Sequence, residues 1–198
     1  MPTEIKKYIK TLERKLQDRK NPSIEFNGDS SHNAAVMIVM LNYSENNNVG
    51  INMFCGSLSV LRSSFFDKMG SDVGKDTRDF LQKKMEESLT SYFKSKDNKL
   101  KVVLEQKPKD SDEYLDGFIF PIRDYIKKGK IEISYLREEL TMRGSLDHFS
   151  YIADGSMGRL EYDKVNHAAL CAFHREGSKK GFDSMFDDVL SAASPLSL

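Results

Sequence analysis

Residues 147–163, DHFSYIADGSMGRLEYD, bring an imidazole, an arginine and four carboxylates into one alternating run, broken at Asp154-Gly155-Ser156. A histidine can attack phosphorus or carry a proton, and a fixed cation beside it can neutralise charge developing on a transferred group. In that chemistry His148 is the candidate nucleophile and Arg159 the candidate charge stabiliser. Glu161 follows Arg159 by two residues, so on a strand both side chains share a face and would pair. An Arg159–Glu161 or Arg159–Asp154 ion pair is the structural alternative to catalysis, and a retained ligand pocket lies between the two.

A second cluster is His167, Cys171 and His174. Read as part of a helix over residues 164–175, at about 100° per residue, the three fall within about 60° of one another. Nitrogen and sulfur at those steps suit zinc, with Cys55 or a carboxylate needed as fourth ligand. Ala168, Ala169, Leu170 and Phe173 make the same stretch a packing element. Gly56-Ser57-Leu58-Ser59 follows a strand, and Ser57 is read there as the cap of a helix whose amides could receive an anion. No phosphate-loop lysine motif, Gly-x-Gly-x-x-Gly fingerprint or His-Glu-x-x-His is present, so no cofactor is expected.

The elements that must position these groups alternate in type. Residues 3–20 carry Ile5, Tyr8, Ile9, Leu12 and Leu16 at helical spacing, and Asn21-Pro22 ends the helix. Its outer face holds Lys6, Lys10 and Arg14, a basic stripe suited to an acidic partner or phosphates. Residues 31–45 form a central apolar helix behind a serine cap. Residues 51–55 are a strand, residues 57–69 a helix, and residues 75–95 a long helix. LKVVLEQ is a strand, residues 107–117 are a polar surface loop, and residues 121–128 are a helix ended by Gly129. KIEISYL, HFSYIA and RLEY are strands, and helices at 164–175 and 181–193 close the chain. Helices alternating with short strands predict one α/β domain over residues 1–198, with an N-terminal helical segment at 1–22. In such sheets ligands sit beyond the carboxyl ends of the strands, which draws attention to Gly56-Ser57, Glu105-Gln106, Arg137 and Asp154.

The order of these elements over residues 31–175, with a histidine strand, a turn and a closing helix, resembles a single phospholipase D-type domain. In that family a histidine is followed two residues later by a lysine, further on by an aspartate, and then by Gly-Ser-x-Asn. His148 stands at the histidine, Ser150 occupies the lysine place, and Asp154 comes six residues after His148, one short of the family spacing. Arg159-Leu160-Glu161 occupies the approximate place of Gly-Ser-x-Asn. The resemblance implies a single mixed sheet flanked by helices, preceded here by the amphipathic helix. It also implies a homodimer, because single-domain relatives pair to bring two histidines together. With serine for lysine, it implies a non-catalytic binding or adaptor subunit whose partner is a protein or a second copy. The alternative it leaves is a phosphodiesterase or nuclease using His148, and the histidine–cysteine cluster leaves a zinc-using regulator.

Bulk composition bounds these readings. The 198 residues suffice for one full core, and 30 basic residues balance 30 acidic ones. A chain of zero net charge has no global attraction to a polyanion, so nucleic acid is possible but not indicated. The two cysteines sit in apolar runs and read as buried thiols. The longest apolar run, residues 34–41, is too short to span a bilayer. With no apolar leader at its start, the chain reads as cytoplasmic.

Overall fold

The structure, a computed structural model, describes residues 2–69, 73–137, 147–163 and 168–196. In chain order the described elements are α1 (Pro2–Gln17), β1 (Ser23–Asn27), α2 (Ser30–Asn47), β2 (Ile51–Cys55), a 3-10 turn (Ser59–Leu61), α3 (Ser63–Asp67), α4 (Lys75–Tyr92) and β3 (Leu100–Leu104). There follow α5 (Ser111–Leu115), α6 (Ile122–Lys127), β4 (Ile131–Leu136), β5 (Phe149–Ile152), β6 (Met157–Asp163), β7 (Ala168–Phe173), α7 (Ser178–Ser191) and β8 (Ala193–Pro195).

Eight strands make one sheet in the order β1-β7-β6-β5-β2-β3-β4-β8. β2, β3 and β4 run parallel, joined by crossovers that carry the helices, and the remaining neighbours are antiparallel. This is the single mixed sheet flanked by helices that the family resemblance implies. Each strand sends alternate side chains to opposite faces. Ile51, Met53, Val102 and Ile133 face a large core with α1, α2 and α4, whereas Phe54, Val103, Phe149 and Tyr151 face a smaller one under α7.

α2 is apolar nearly all round because it is enclosed nearly all round: every residue from Ala34 to Leu41 is buried. Its cap is Asp29, not a serine. The Asp29 carboxylate accepts from the His32 amide at 2.9 Å and from Ser31 Oγ at 2.7 Å. α1 docks through Ile5, Ile9, Leu12 and Leu16 and leaves Lys6, Lys10 and Arg14 exposed.

Three departures from the expected elements share one cause. The helix expected over 164–175 is instead strand β7 from residue 168 onward, while residues 164–167 lie outside the described residues. AALCAF has helix-forming alanines, but its burial alternates with period two and it is paired on both sides, by β1 and β6. Pairing outweighs propensity. The same register forms β1 from SIEFN, where no strand is expected, and leaves Phe26 at the sheet edge 69% exposed. β8 is likewise defined by its partner β4. Within the expected polar loop 107–117, Asp110 caps the one-turn helix α5, accepting from the Asp112 and Glu113 amides.

Candidate functional site

Sheet register assembles the site. β2 and β3 end together, Cys55 beside Leu104, and the Glu105 amide extends the ladder by donating to the Cys55 carbonyl at 2.9 Å. β5 runs antiparallel to β2 with Phe149 opposite Phe54, so His148 arrives at that same carboxyl end. β6 then sets Arg159 opposite Ser150, and the Glu161 amide donates to the His148 carbonyl at 2.8 Å. Gly56 closes the corner: a Cβ there would stand 3.3 Å from His148 Cε1, so a side chain would crowd the ring.

The imidazole is held between two carboxylates. His148 Nδ1 lies 3.0 Å from Glu161 Oε2, and Nε2 lies 3.1 Å from Glu105 Oε2. Each ring nitrogen thus has a carboxylate oxygen within hydrogen-bond distance. The ring also meets Phe54 edge-on at 5.7 Å between centroids and is 16% exposed. Burial alone would raise the Glu161 carboxyl, but the hydrogen bond from His148 and the adjacent Arg159 outweigh it and bring the pKa down to about 2.

Arg159 is spoken for as well. Its Nη2 donates to Asn33 Oδ1 at 2.6 Å and to Glu161 Oε1 at 3.2 Å, the ion pair its spacing predicts. Asn33 Oδ1 also accepts from Asn27 Nδ2 at 2.7 Å. Arg159 Nε is buried without an acceptor among the described residues. Ser150, in the lysine place, is buried and donates to Met40 Sδ at 3.7 Å. A cavity of about 690 Å³ opens over these groups, with Val36, Met37, Met53 and Phe65 on its apolar side and His148, Arg159 and Glu161 on its polar side. Cys55 borders it, and burial, with the Glu161 and Glu105 carboxylates adding, pushes its thiol up to about 12.

Of the residues singled out by sequence, His148, Arg159 and Glu161 come together, and Ser57 lines the cavity. Ser57 does not cap a helix: Leu58, in the left-handed region at φ 56°, precedes the 3-10 turn with no side-chain cap. Asp154 lies away from His148, because β5 runs from the histidine to the amino end of β2, where Ile152 faces Ile51. There its carboxylate accepts from the Ser156 amide at 2.8 Å and from Tyr43 Oη at 3.5 Å. Arg137 hydrogen-bonds the Ala192 carbonyl behind α7.

Lys6, Lys10 and Arg14 are on the solvent face of α1 and do not line the cavity; Lys6 Nζ sits 4.9 Å from the Phe80 ring centroid. His167 lies outside the described residues. Cys171 points into the core, and His174 Nε2 donates to the Leu16 carbonyl at 2.7 Å, fastening the end of α1. Among the described residues no three His, Cys, Asp or Glu side chains are placed to hold a metal. Asn33 and Asn27, which steer Arg159, escaped the sequence reading. The available signal was a polar residue in the first turn of an otherwise apolar helix.

No protein-family model matches the sequence, and no curated protein matches it significantly. Solved structures do. Nuc, a phospholipase D family member from Salmonella typhimurium, superposes with a TM-score of 0.53 at 10% identity, over 90% of this chain and 100% of that one. TrmBL2, an archaeal chromatin protein with a novel mode of DNA binding, superposes with a TM-score of 0.52 at 12% identity over 87% of this chain. The match takes in 53% of TrmBL2, so this chain spans about half the length of that relative. NucT from Helicobacter pylori gives 0.48 at 11% identity, over 89% of this chain and 100% of that one. The chain therefore has a phospholipase D-like fold. Among the described residues no helix is long and apolar enough to cross a membrane.

Proposed function

We propose that the chain is a non-catalytic phospholipase D-like domain that works by binding, as a binding or adaptor subunit of a cytoplasmic assembly. The observation that carries this reading is the Glu105 carboxylate 3.1 Å from His148 Nε2. A histidine that attacks phosphorus needs an unshared lone pair on the nitrogen facing the substrate. Here one nitrogen is committed to each carboxylate, and the family's lysine is a buried serine that serves Met40 instead. The same fold in TrmBL2 belongs to a protein that binds DNA, so binding is within its range. The partner is a protein or a second copy of the chain, with the exposed Lys6, Lys10 and Arg14 stripe of α1 as the contact for acidic groups and a homodimer as the working form.

The test is hydrolysis of bis(p-nitrophenyl) phosphate by the purified chain and by His148→Ala. Equal, background rates are expected. Turnover that disappears with the imidazole would overturn the proposal.

One observation favours a second reading, a phosphodiesterase. Glu161 on Nδ1 orients the ring as an orienting carboxylate orients a histidine nucleophile, and Arg159 stands directly across from Ser150, close to where the lysine charge would be. That reading requires Glu105 to leave Nε2. The third, a zinc-using regulator built on His167, Cys171 and His174, has no support in the positions of Cys171 and His174.

A further inference from the structure

We infer that the bare stretch of sheet over β7 and β1, beside α7, is the seat of one amphipathic helix from a partner protein. The inference rests on the binding reading and names a surface and the kind of partner that fits it. Strand register lays two apolar rows across the face that α7 covers. Phe54, Phe149, Leu160, Leu170 and Phe26 stand side by side in one, and Tyr151, Gly158, Ala172 and Ile24 in the next. α7 covers only the first part of each row: Phe182 stacks on Tyr151 and lies over Gly158, and Phe186 meets Tyr151 edge-on. Past β6 the rows run on uncovered, with Ile24 42% and Phe26 69% exposed. Tyr162, two residues on from Leu160 and so on the same face, is 53% exposed. The other large hydrophobic side chains so exposed among the described residues, Met185 and Leu190, are on α7 itself.

The shape of the strip selects a helix. Two strands about 4.8 Å apart leave a step about 10 Å wide beside α7, the diameter of one helix. β1 is five residues long, which makes about 17 Å, or three helical turns. Strand addition at the sheet edge is the other way to cover β1, and α1 forestalls it. The Ile24 and Phe26 carbonyls already accept from Lys15 Nζ at 3.4 Å and Tyr8 Oη at 3.3 Å. No charged side chain stands in either row. The matching stripe on the partner is therefore uncharged, with apolar groups at four- and three-residue steps like Phe182, Phe186 and Val189. A second copy has no such stripe to lend, because α1, α2, α4 and α7 each bury theirs in their own core. The occupant is a helix of another protein.

Fluorescence anisotropy on the full chain tests this, with a labelled, side-chain-stapled peptide of residues 178–191 as the probe because it carries that stripe. Saturable binding is expected. Phe26→Asp should weaken it by about tenfold or more, as loss of a central aromatic contact does. Lys83→Glu, exposed on α4 and away from the strip, should leave it unchanged. Tyr162→Asp serves if Phe26→Asp is poorly folded and should weaken binding in the same way. Absence of saturable binding to the unaltered chain overturns the inference, and so does full affinity in a folded Phe26→Asp. Sedimentation velocity adds a last arm: a dimer of the unaltered chain that Phe26→Asp dissolves would give the strip to a second copy and overturn the assignment. None of these results bears on hydrolysis: His148-dependent turnover would overturn the proposed function alone.

Discussion

An imidazole between two carboxylates and a guanidinium against one of them form a chain of charges in which each member fixes the next. Glu161 is its centre, accepting from His148 and from Arg159 at 8% side-chain exposure. Its folded pKa of about 2 lies below the ordinary 4.5. A depressed carboxylate contributes stability that is fully present above the unfolded value and is lost as pH falls through the folded one. The unfolding free energy should therefore drop by about 3 kcal/mol between pH 5 and pH 2 on account of this group. Glu161→Gln should be less stable at neutral pH and should flatten that acid limb, as read from urea denaturation at successive pH values. An acid limb of unchanged depth in the variant would remove Glu161 from this role. At this scale the sequence was informative where partners are two residues apart on one strand: Arg159 and Glu161 are visible from spacing alone. Glu105 could be placed only at a strand end, since its approach to His148 spans 43 residues. Asn33 stood out only as a polar residue at the start of an apolar helix, and its partner Arg159, 126 residues away, could not be read from that.

Single elements show where local pattern stops being enough. α1 and α2 follow from apolar spacing, but β7 and β1 exist as strands because each pairs with the other and β6 completes the set. Alanine content spoke for a helix, and only the two-sided ladder decides against it. The contact between β6 and α7 is equally illegible in sequence and just as specific. A Cβ on Gly158 would lie 2.1 Å from Phe182 Cε2, and Phe182 in turn stacks on Tyr151 at 5.3 Å between centroids. Gly158→Ala should accordingly cost about 1–3 kcal/mol through overpacking, since Phe182 must shift from its stack on Tyr151 to make room. In a Phe182→Ala background the same substitution should be close to neutral, giving a large coupling in a double-mutant cycle measured by urea unfolding. Equal costs in both backgrounds would mean that α7 does not press on β6 in this way.

The whole molecule is asymmetric about its sheet. One face is covered by α1, α2 and α4, whose buried side chains merge with inward strand residues into a single large cluster. The other is covered by α7, over a small cluster of Phe54, Val103, Leu136, Phe149, Tyr151, Phe186 and Val189. Since hydrophobic stabilisation scales with apolar area removed from water, the second face holds its helix far less strongly than the first. α7 is fastened at its end by β8, through Ala193 opposite Leu136 and the Arg137 side chain on the Ala192 carbonyl. Residues 178–195 should thus open as one unit without unfolding the rest, as regions with few buried contacts do. Native-state amide exchange is the measurement. The α7 and β8 amides should share an opening free energy several kcal/mol below that of the α2 amides, which only global unfolding exposes. The cavity, walled by α2, α3 and the sheet on the opposite face, should keep its shape through such openings. A common opening free energy for α7 and α2 would instead make both faces one cooperative unit, and any change at the C-terminal helix would then be felt at His148.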